Sequence, residues 1–407
     1  MNFIISVKRA ALSVVAATTL LTLSGCHSSH SAQFSASDTA FPVKVAPYDV
    51  YLDKVEEYIQ KNRTFIGSEQ EKTKELAMNM PFECGAQYDE VGILLVHGLG
   101  DSPFFFRDVA NALCADGIHV RTILLPGHGT KPGDMLSVSY KQWQTETNFH
   151  IELFSGEVEK LYIGGFSTGA NLTTIASFFR TDIEGLIHFS PAFKSRFFVS
   201  RLAPYIDSLF PWPNVEDEDN PSRYNSTAMP GFAAYQESVN QLQTLFNRDD
   251  KPNTLHIPVL MTVAEKDSVV DTEKVATQFG DNFTHPRKCL LWQGESMPEL
   301  PPQHVLMQSM QLPELRISAA SHMSNLFASS NSLYGTQSEF RICDNGQGSN
   351  KEARCKDGET VWYGPWGYKE SDKVHARLTY NPYFTNMVDN ILGFVGKAKV
   401  KGFCREI

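Results

Sequence analysis

Between residues 91 and 280 the chain alternates short apolar runs with helical patterns, and this alternation constrains the fold more than any other feature. Val91-Gly92-Ile93-Leu94-Leu95-Val96 is a six-residue apolar run that stops at His97-Gly98. Such a run reads as a strand buried on both faces, as in a parallel sheet. A helical pattern covers 105–115 and Gly117 ends it. Further strands are predicted at 120–125, 160–165, 185–189 and 256–263, with helices at 142–154, 170–179 and 269–279. The spacing also predicts a last strand over 314–319 and a last helix over 384–395. Strands and helices that alternate in this way make an α/β protein with a mostly parallel, doubly wound sheet.

Two stretches interrupt the pattern. Residues 191–251 are long, aromatic and Pro-rich, and 282–312 contains Pro286, Pro298, Pro301 and Pro302. Segments like these inside a compact domain are lids, binding loops or inserts. The first is expected to form a cap over the sheet. Its large apolar residues, Phe193, Phe197, Phe198, Leu202, Tyr205, Leu209, Phe210 and Trp212, either line an acyl pocket or pack the cap onto the sheet. Phe104 is a candidate for contact with substrate. Upstream, 49–78 reads as an amphipathic helix.

The N-terminus reads as an export signal. Lys8 and Arg9 precede an apolar run over 10–23, which is too short for a comfortable membrane span. Leu23-Ser24-Gly25-Cys26 has the form of a bacterial lipoprotein signal, with small residues ahead of a thiol that accepts lipid. Residues 1–26 are therefore expected to be a signal segment ending at the lipid-bearing Cys26. The Ser-rich stretch 27–45 follows as a flexible tether, and 46–407 forms the globular domain. This places the protein on the bacterial cell envelope, held to the membrane through its lipid. His27 after the cysteine, where an Asp would signal inner-membrane retention, favours the outer membrane. The remaining cysteines, Cys84, Cys114, Cys289, Cys343, Cys355 and Cys404, are even in number, which suits disulfides in an oxidising compartment. Cys343 and Cys355 are the favoured pair, and Cys114, on a predicted helix, reads better as a buried thiol. A net charge of −10 and the absence of any basic run argue against a nucleic-acid partner. The sequence offers no sign of a metal or cofactor.

The chemistry centres on Gly165-Phe166-Ser167-Thr168-Gly169, a G-x-S-x-G pentapeptide between a predicted strand and a predicted helix. The glycines are required because the serine sits on a strained turn where a neighbouring Cβ would strike backbone. The turn aims the following helix N-terminus at negative charge developing on a substrate oxygen. With this element, Val96-His97-Gly98-Leu99-Gly100 and Leu125-Pro126-Gly127-His128-Gly129 complete a pattern. In order and spacing it resembles the α/β-hydrolase superfamily, particularly its monoglyceride lipase and bacterial carboxylesterase branch. The resemblance covers roughly 89–326.

It implies an α/β-hydrolase fold with a cap insertion at 191–251, and a serine carboxylic-ester hydrolase acting through an acyl-enzyme on a small or lipid ester. Ser167 is the implied nucleophile, and the backbone N–H groups of Leu99 and Thr168 the implied oxyanion hole. His97 and His128 read as structural braces. The superfamily's chain order puts the acid after a late strand and the base after the last one. That order points to Asp267, with Glu265 and Asp271 as competitors and Asp271 better suited to cap a helix. It points to His322 as base over His285 and His304. Ser321 stands where the superfamily more often has glycine. Thioesterase, acyltransferase, peptidase or lactonase chemistry would use the same residues, and a non-catalytic ligand-binding lipoprotein would use none of them. A Cys26→Ala protein is expected to lose detergent-phase partitioning and the mass of the lipid, which phase separation and intact-mass measurement would check.

Overall fold

A computed structural model describes residues 32–85, 90–248 and 253–398. Cys26 and the signal segment lie outside the described residues. The strands are β1 (Glu83–Cys84), β2 (Val91–Val96), β3 (His119–Ile123), β4 (Lys160–Phe166), β5 (Ile183–Phe189), β6 (Val259–Ala264), β7 (Lys288–Gln293) and β8 (Val305–Gln308), with a small separate pair, β9 (Trp362–Gly364) and β10 (His375–Arg377). Helices α1 (Tyr48–Asn62), α2 (Lys72–Asn79), α3 (Arg107–Ala115), α4 (Tyr140–Ser155) and α5 (Thr168–Ser177) precede the cap. Then come α6 (Phe198–Ile206) and α7 (Met229–Phe246) in the cap region, followed by α8 (Thr272–Asn282), α9 (Ser349–Lys356) and α10 (Phe384–Phe394).

The eight-stranded sheet has the order β1-β3-β2-β4-β5-β6-β7-β8. Only β1 runs antiparallel, against β3. This is the α/β-hydrolase fold expected from the sequence. The central strands are mostly apolar because both faces are covered. On one face Leu94, Ile163, Leu186 and Met261 pack with Trp143, Leu172 and Phe246. On the other, Ile93, Leu95, Ile187 and Leu260 pack with Phe105, Val109 and Ile391.

Several expectations are corrected. No strand forms over 314–319: a 3-10 turn at Pro313–Leu315 leads into a left-handed Arg316. The sheet ends instead with β7 and β8, inside the Pro-rich stretch read as an insert. The prolines flank these strands and remove no ladder donor from them. The single helix expected over 49–78 is two, α1 and α2. From Ala32 onward the segment read as a flexible tether is docked: Phe34 is buried against Trp212, and Ser37 N–H donates to Asp134 Oδ1 at 2.6 Å. Cys114 is not a thiol; it pairs with Cys84. Cys343 pairs with Cys355 as expected, and Cys289 is also disulfide-bonded.

One buried ion pair ties the N-terminal helices to the elements around the site. Arg63 and Glu75 meet at 2.7 Å with side chains only 5% and 3% exposed. Arg63 also donates to the carbonyls of Gly129 and Pro221 at 2.9 and 2.8 Å. Glu75 accepts the N–H groups of Ile66 and Gly67 as well. Removing one partner strands the other charge without water. A Glu75→Ala protein is expected to lose about 3–5 kcal/mol of stability, measured by chemical denaturation.

Candidate active site

Ser167 stands at the turn from β4 into α5 with φ 54° and ψ −114°, a left-handed backbone for a residue with a side chain. Two glycines make the turn possible. A Cβ at Gly165 would lie 2.3 Å from the Gly169 carbonyl carbon, and one at Gly169 would lie 1.9 Å from Val96 O. Helix α5 therefore starts directly against the end of β2, and the loop after β2 begins beside it. Thr168 is the first residue of α5, so its N–H has no partner within the helix. Leu99 and Thr168 both line the cavity at Ser167.

The structure brings Ser167, His322 and Asp267 into one hydrogen-bonded line. His322 Nε2 lies 3.0 Å from Ser167 Oγ, and His322 Nδ1 lies 2.6 Å from Asp267 Oδ2. The carboxylate accepts a hydrogen bond from Nδ1–H, which fixes the proton there and leaves Nε2 as an acceptor for the serine hydroxyl. Asp267 is fully buried, and its other oxygen accepts the N–H groups of Val269 and Val270 at 2.7 and 3.1 Å. It can therefore hold the imidazole without rotating. The competing residues are engaged elsewhere. Asp271 caps α8 through Lys274 N–H, and Glu265 accepts the N–H groups of Glu295 and Ser296. Neither His285 nor His304 is part of the line.

Residues not singled out from the sequence hold the histidine loop. Ser190 Oγ donates to the His322 carbonyl at 2.8 Å and accepts from Asn325 Nδ2 at 2.6 Å. The Phe166 ring packs under the His322 ring with centroids 4.9 Å apart. Ser321 has a reason to replace glycine: its hydroxyl donates to Leu378 O, and its N–H to Ser324 Oγ. The positive φ of Ser190 would have been hard to foresee, since no glycine marks it.

His97 and His128 are struts, as expected. His97 Nε2 accepts Leu125 N–H at 3.0 Å while Nδ1 faces the Gly98 carbonyl. His128 Nε2 accepts Gly100 N–H at 3.0 Å while Nδ1 faces the carbonyls of Leu125 and Pro126. Both rings must be neutral to accept, and burial keeps them so. It holds His97 down to about 4 and His128 well below the ordinary imidazole range. The two rings fix the backbone on both sides of Leu99.

A cavity of about 420 Å³ opens above Ser167. Its lining combines apolar residues, Leu99, Phe105, Phe166, Phe232, Val269 and Met323 among them, with polar ones that include Asp101, Glu216, Asn225, Arg223 and Arg377. Most of the cap aromatics do not reach it. Phe193 is buried in the core, Phe198, Leu202, Tyr205, Leu209 and Phe210 are exposed, and only Phe197 of that group lines the cavity. Phe105, not Phe104, faces the cavity; Phe104 packs on Phe327 and Tyr334.

Fold and site together define an α/β-hydrolase-type protein with a serine at the nucleophile elbow. The chain belongs to the family described as serine aminopeptidase, S33 (Hydrolase_4), whose pattern matches residues 90–293, half of its length. It is also similar to the thermostable monoacylglycerol lipase of Bacillus sp. (strain H-257), at 29% identity over 107 residues. That stretch is 26% of this chain and 43% of the lipase, so the match spans less than half of that relative. Among solved structures it is similar to a metagenome-derived lipolytic enzyme at 21% identity and a TM-score of 0.45, covering 52% of this chain and 86% of that one. Against the monoglyceride lipase of Saccharomyces cerevisiae the values are 14% and 0.44, covering 52% and 81%.

Buried neutral histidines make stability depend on acid. His97 binds a proton in the unfolded chain below pH about 6.5 but in the folded one only below about 4. The unfolded state therefore takes up more protons across that window, and stability falls as pH drops through it. His97 alone would cost up to about 3 kcal/mol by pH 4. His188, held to about 3 by burial, acts in the same direction. Thermal unfolding followed from pH 7 to pH 4 is expected to show a steady fall in Tm; a flat profile would contradict neutral, buried imidazoles.

Proposed function

We propose that this protein is a serine carboxylic-ester hydrolase, of carboxylesterase or lipase type, acting through an acyl-enzyme. One observation carries the reading: His322 Nε2 sits 3.0 Å from Ser167 Oγ at the floor of a cavity, with Asp267 on the far side of the ring. Ser167 Oγ attacks the ester carbonyl while His322 takes its proton. Asp267 keeps the ring oriented and stabilises the imidazolium. The N–H groups of Leu99 and Thr168 receive the negative charge on the carbonyl oxygen, at a helix N-terminus already biased toward anions. His322 then returns the proton to the leaving alcohol. In the second half it activates a water that attacks the acyl-serine, which restores Ser167 and releases the acid.

The apolar lining of the cavity, Phe105, Phe232 and Met323 among it, supports an acyl chain as the apolar half of the substrate. The similarity to a monoacylglycerol lipase supports a lipid ester. We also propose that Cys26 carries lipid and anchors the protein to the bacterial cell envelope. The Leu23-Ser24-Gly25-Cys26 motif and the Cys84–Cys114 and Cys343–Cys355 disulfides, of the kind that persist in oxidising compartments, support this.

An alkyl fluorophosphonate is expected to label Ser167, located by peptide mass, and Ser167→Ala or His322→Ala to abolish labelling. Asp267→Asn should lower kcat on a short-chain ester by about 10⁴, because it favours the wrong imidazole tautomer. Failure of the folded wild-type protein to label would overturn the reading in favour of a non-catalytic binding protein.

A further inference from the structure

The cavity lining holds two cations that no carboxylate among the described residues meets in an ion pair. Arg223 comes from the cap loop between α6 and α7, and Arg377 closes β10, beyond the stretch that matches the family. Both are half-buried. Among the described residues neither guanidinium forms an ion pair. Arg223 makes one hydrogen bond, from Nε to Tyr224 O at 3.3 Å. Arg377 makes two, from Nε to Asn345 Oδ1 at 2.7 Å and from Nη2 to Asp344 O at 3.2 Å. That leaves both terminal nitrogens of Arg223 and Nη1 of Arg377 without a partner, on a wall of the cavity. The two charges feel each other: burial and the Arg223 charge bring Arg377 down to about 10, where it is still fully protonated at neutral pH.

The acids nearby act on them at longer range than an ion pair. Glu216 also lines the cavity, where both arginine charges reach it, but its carboxylate accepts from Asn214; Asp267 acts on Arg377 while bonded to His322. Glu218 is spent on the N–H groups of Asn225 and Ser226. Asp344 offers Arg377 its main-chain carbonyl, with no carboxylate ion pair. Asp101 is buried near Arg223; burial raises it to about 6 against the pull of the Arg223 charge, so it stays mostly ionised at neutral pH, yet it makes no hydrogen bond or ion pair with the guanidinium.

We infer that Arg223 and Arg377 form an anion subsite, and that the preferred substrate is an ester carrying an oxyacid group, carboxylate or phosphate, on its alcohol half. The inference rests on the ester-hydrolase reading of the same cavity and deepens it. A guanidinium presents paired N–H donors that match two oxyacid oxygens, and half-burial strengthens the bond. An acyl chain lies against Phe105 and Met323, and the charged end of the alcohol lies against the arginines.

The test compares three butyrate esters that differ at one end: 3-hydroxypropyl, 3-phosphooxypropyl and 3-carboxypropyl butyrate. At least one anionic ester is expected to exceed the neutral one in kcat/KM by about tenfold or more, through KM; which one does so identifies the oxyacid. Arg223→Gln and Arg377→Gln should each shrink that ratio toward one, with Arg223→Lys retaining part of it. A wild-type ratio of one or less, or a ratio unchanged in both variants, would overturn the subsite. Should Arg377→Gln not fold, Arg223→Gln on its surface loop and the wild-type ratio still decide. Calorimetric titration of the Ser167→Ala protein with 3-phosphooxypropyl and 3-carboxypropyl butyrate separates this inference from the hydrolase reading. Binding lost on adding Arg223→Gln supports the subsite even if the serine is inert toward fluorophosphonate. No binding of either anion to folded protein overturns the subsite even if the serine labels.

Discussion

Everything at the site depends on how closely α5 is allowed to approach β2. Gly169 lies so near Val96 O that no side chain fits between them, and Gly165 meets the first turn of the helix just as tightly. That contact bends the chain by one residue and leaves Ser167 to absorb the bend with a positive φ. Strain of this kind costs of order 1–3 kcal/mol and persists only where the surroundings over-determine it. Here they do: Ser167 N–H donates to Phe189 O, and its carbonyl accepts from Ala192 and Ala170. The hydroxyl, the helix N-terminus and the loop after β2 are consequently held together by packing, before any substrate arrives.

The loop after β2 is braced in a different way. Its Gly100 N–H donates to His128 Nε2, its His97 Nε2 accepts Leu125 N–H from the segment after β3, and the two rings pack edge to face, 4.7 Å apart. A histidine in this role does what no aliphatic residue could, because it accepts one main-chain hydrogen bond and donates another from a single rigid ring. The same residue type thus serves two ends in one site. His322, partly open to the cavity, is placed to exchange protons; His97 and His128, fully enclosed, are placed never to do so.

How much of this was legible in the sequence follows the range of the interactions. The elbow around Ser167 is local, so five residues and their flanks sufficed to place it. Asp267 was readable because a strand, a turn and an apolar pair surround it. His322 was found by chain order although the strand thought to lead into it, over 314–319, is absent; β8 ends the sheet earlier and a long loop carries the histidine back. β7 was hidden by neighbouring prolines, though Cys289-Leu290-Leu291-Trp292 is an apolar run of strand length. Arg223 and Arg377 were not legible at all. They lie 154 positions apart and come near each other only because the cap loop and β10 both border one cavity. The Cys84–Cys114 bridge was missed for a related reason: it joins a two-residue strand to a helix, and neither partner has a spacing signature.

The histidine loop is latched from far downstream. Ser321 donates to Leu378 O, Asn381 reaches the carbonyl of Asn325, and the Thr379 hydroxyl reaches Tyr334 O. Synthesis runs from the other end. The serine and the acid emerge early, while the segment that holds the base in register emerges some two hundred residues after the elbow. The line of Ser167, His322 and Asp267 is therefore the last part of the site to be assembled, so a chain cut before residue 378 would keep the serine turn and leave the imidazole unlatched.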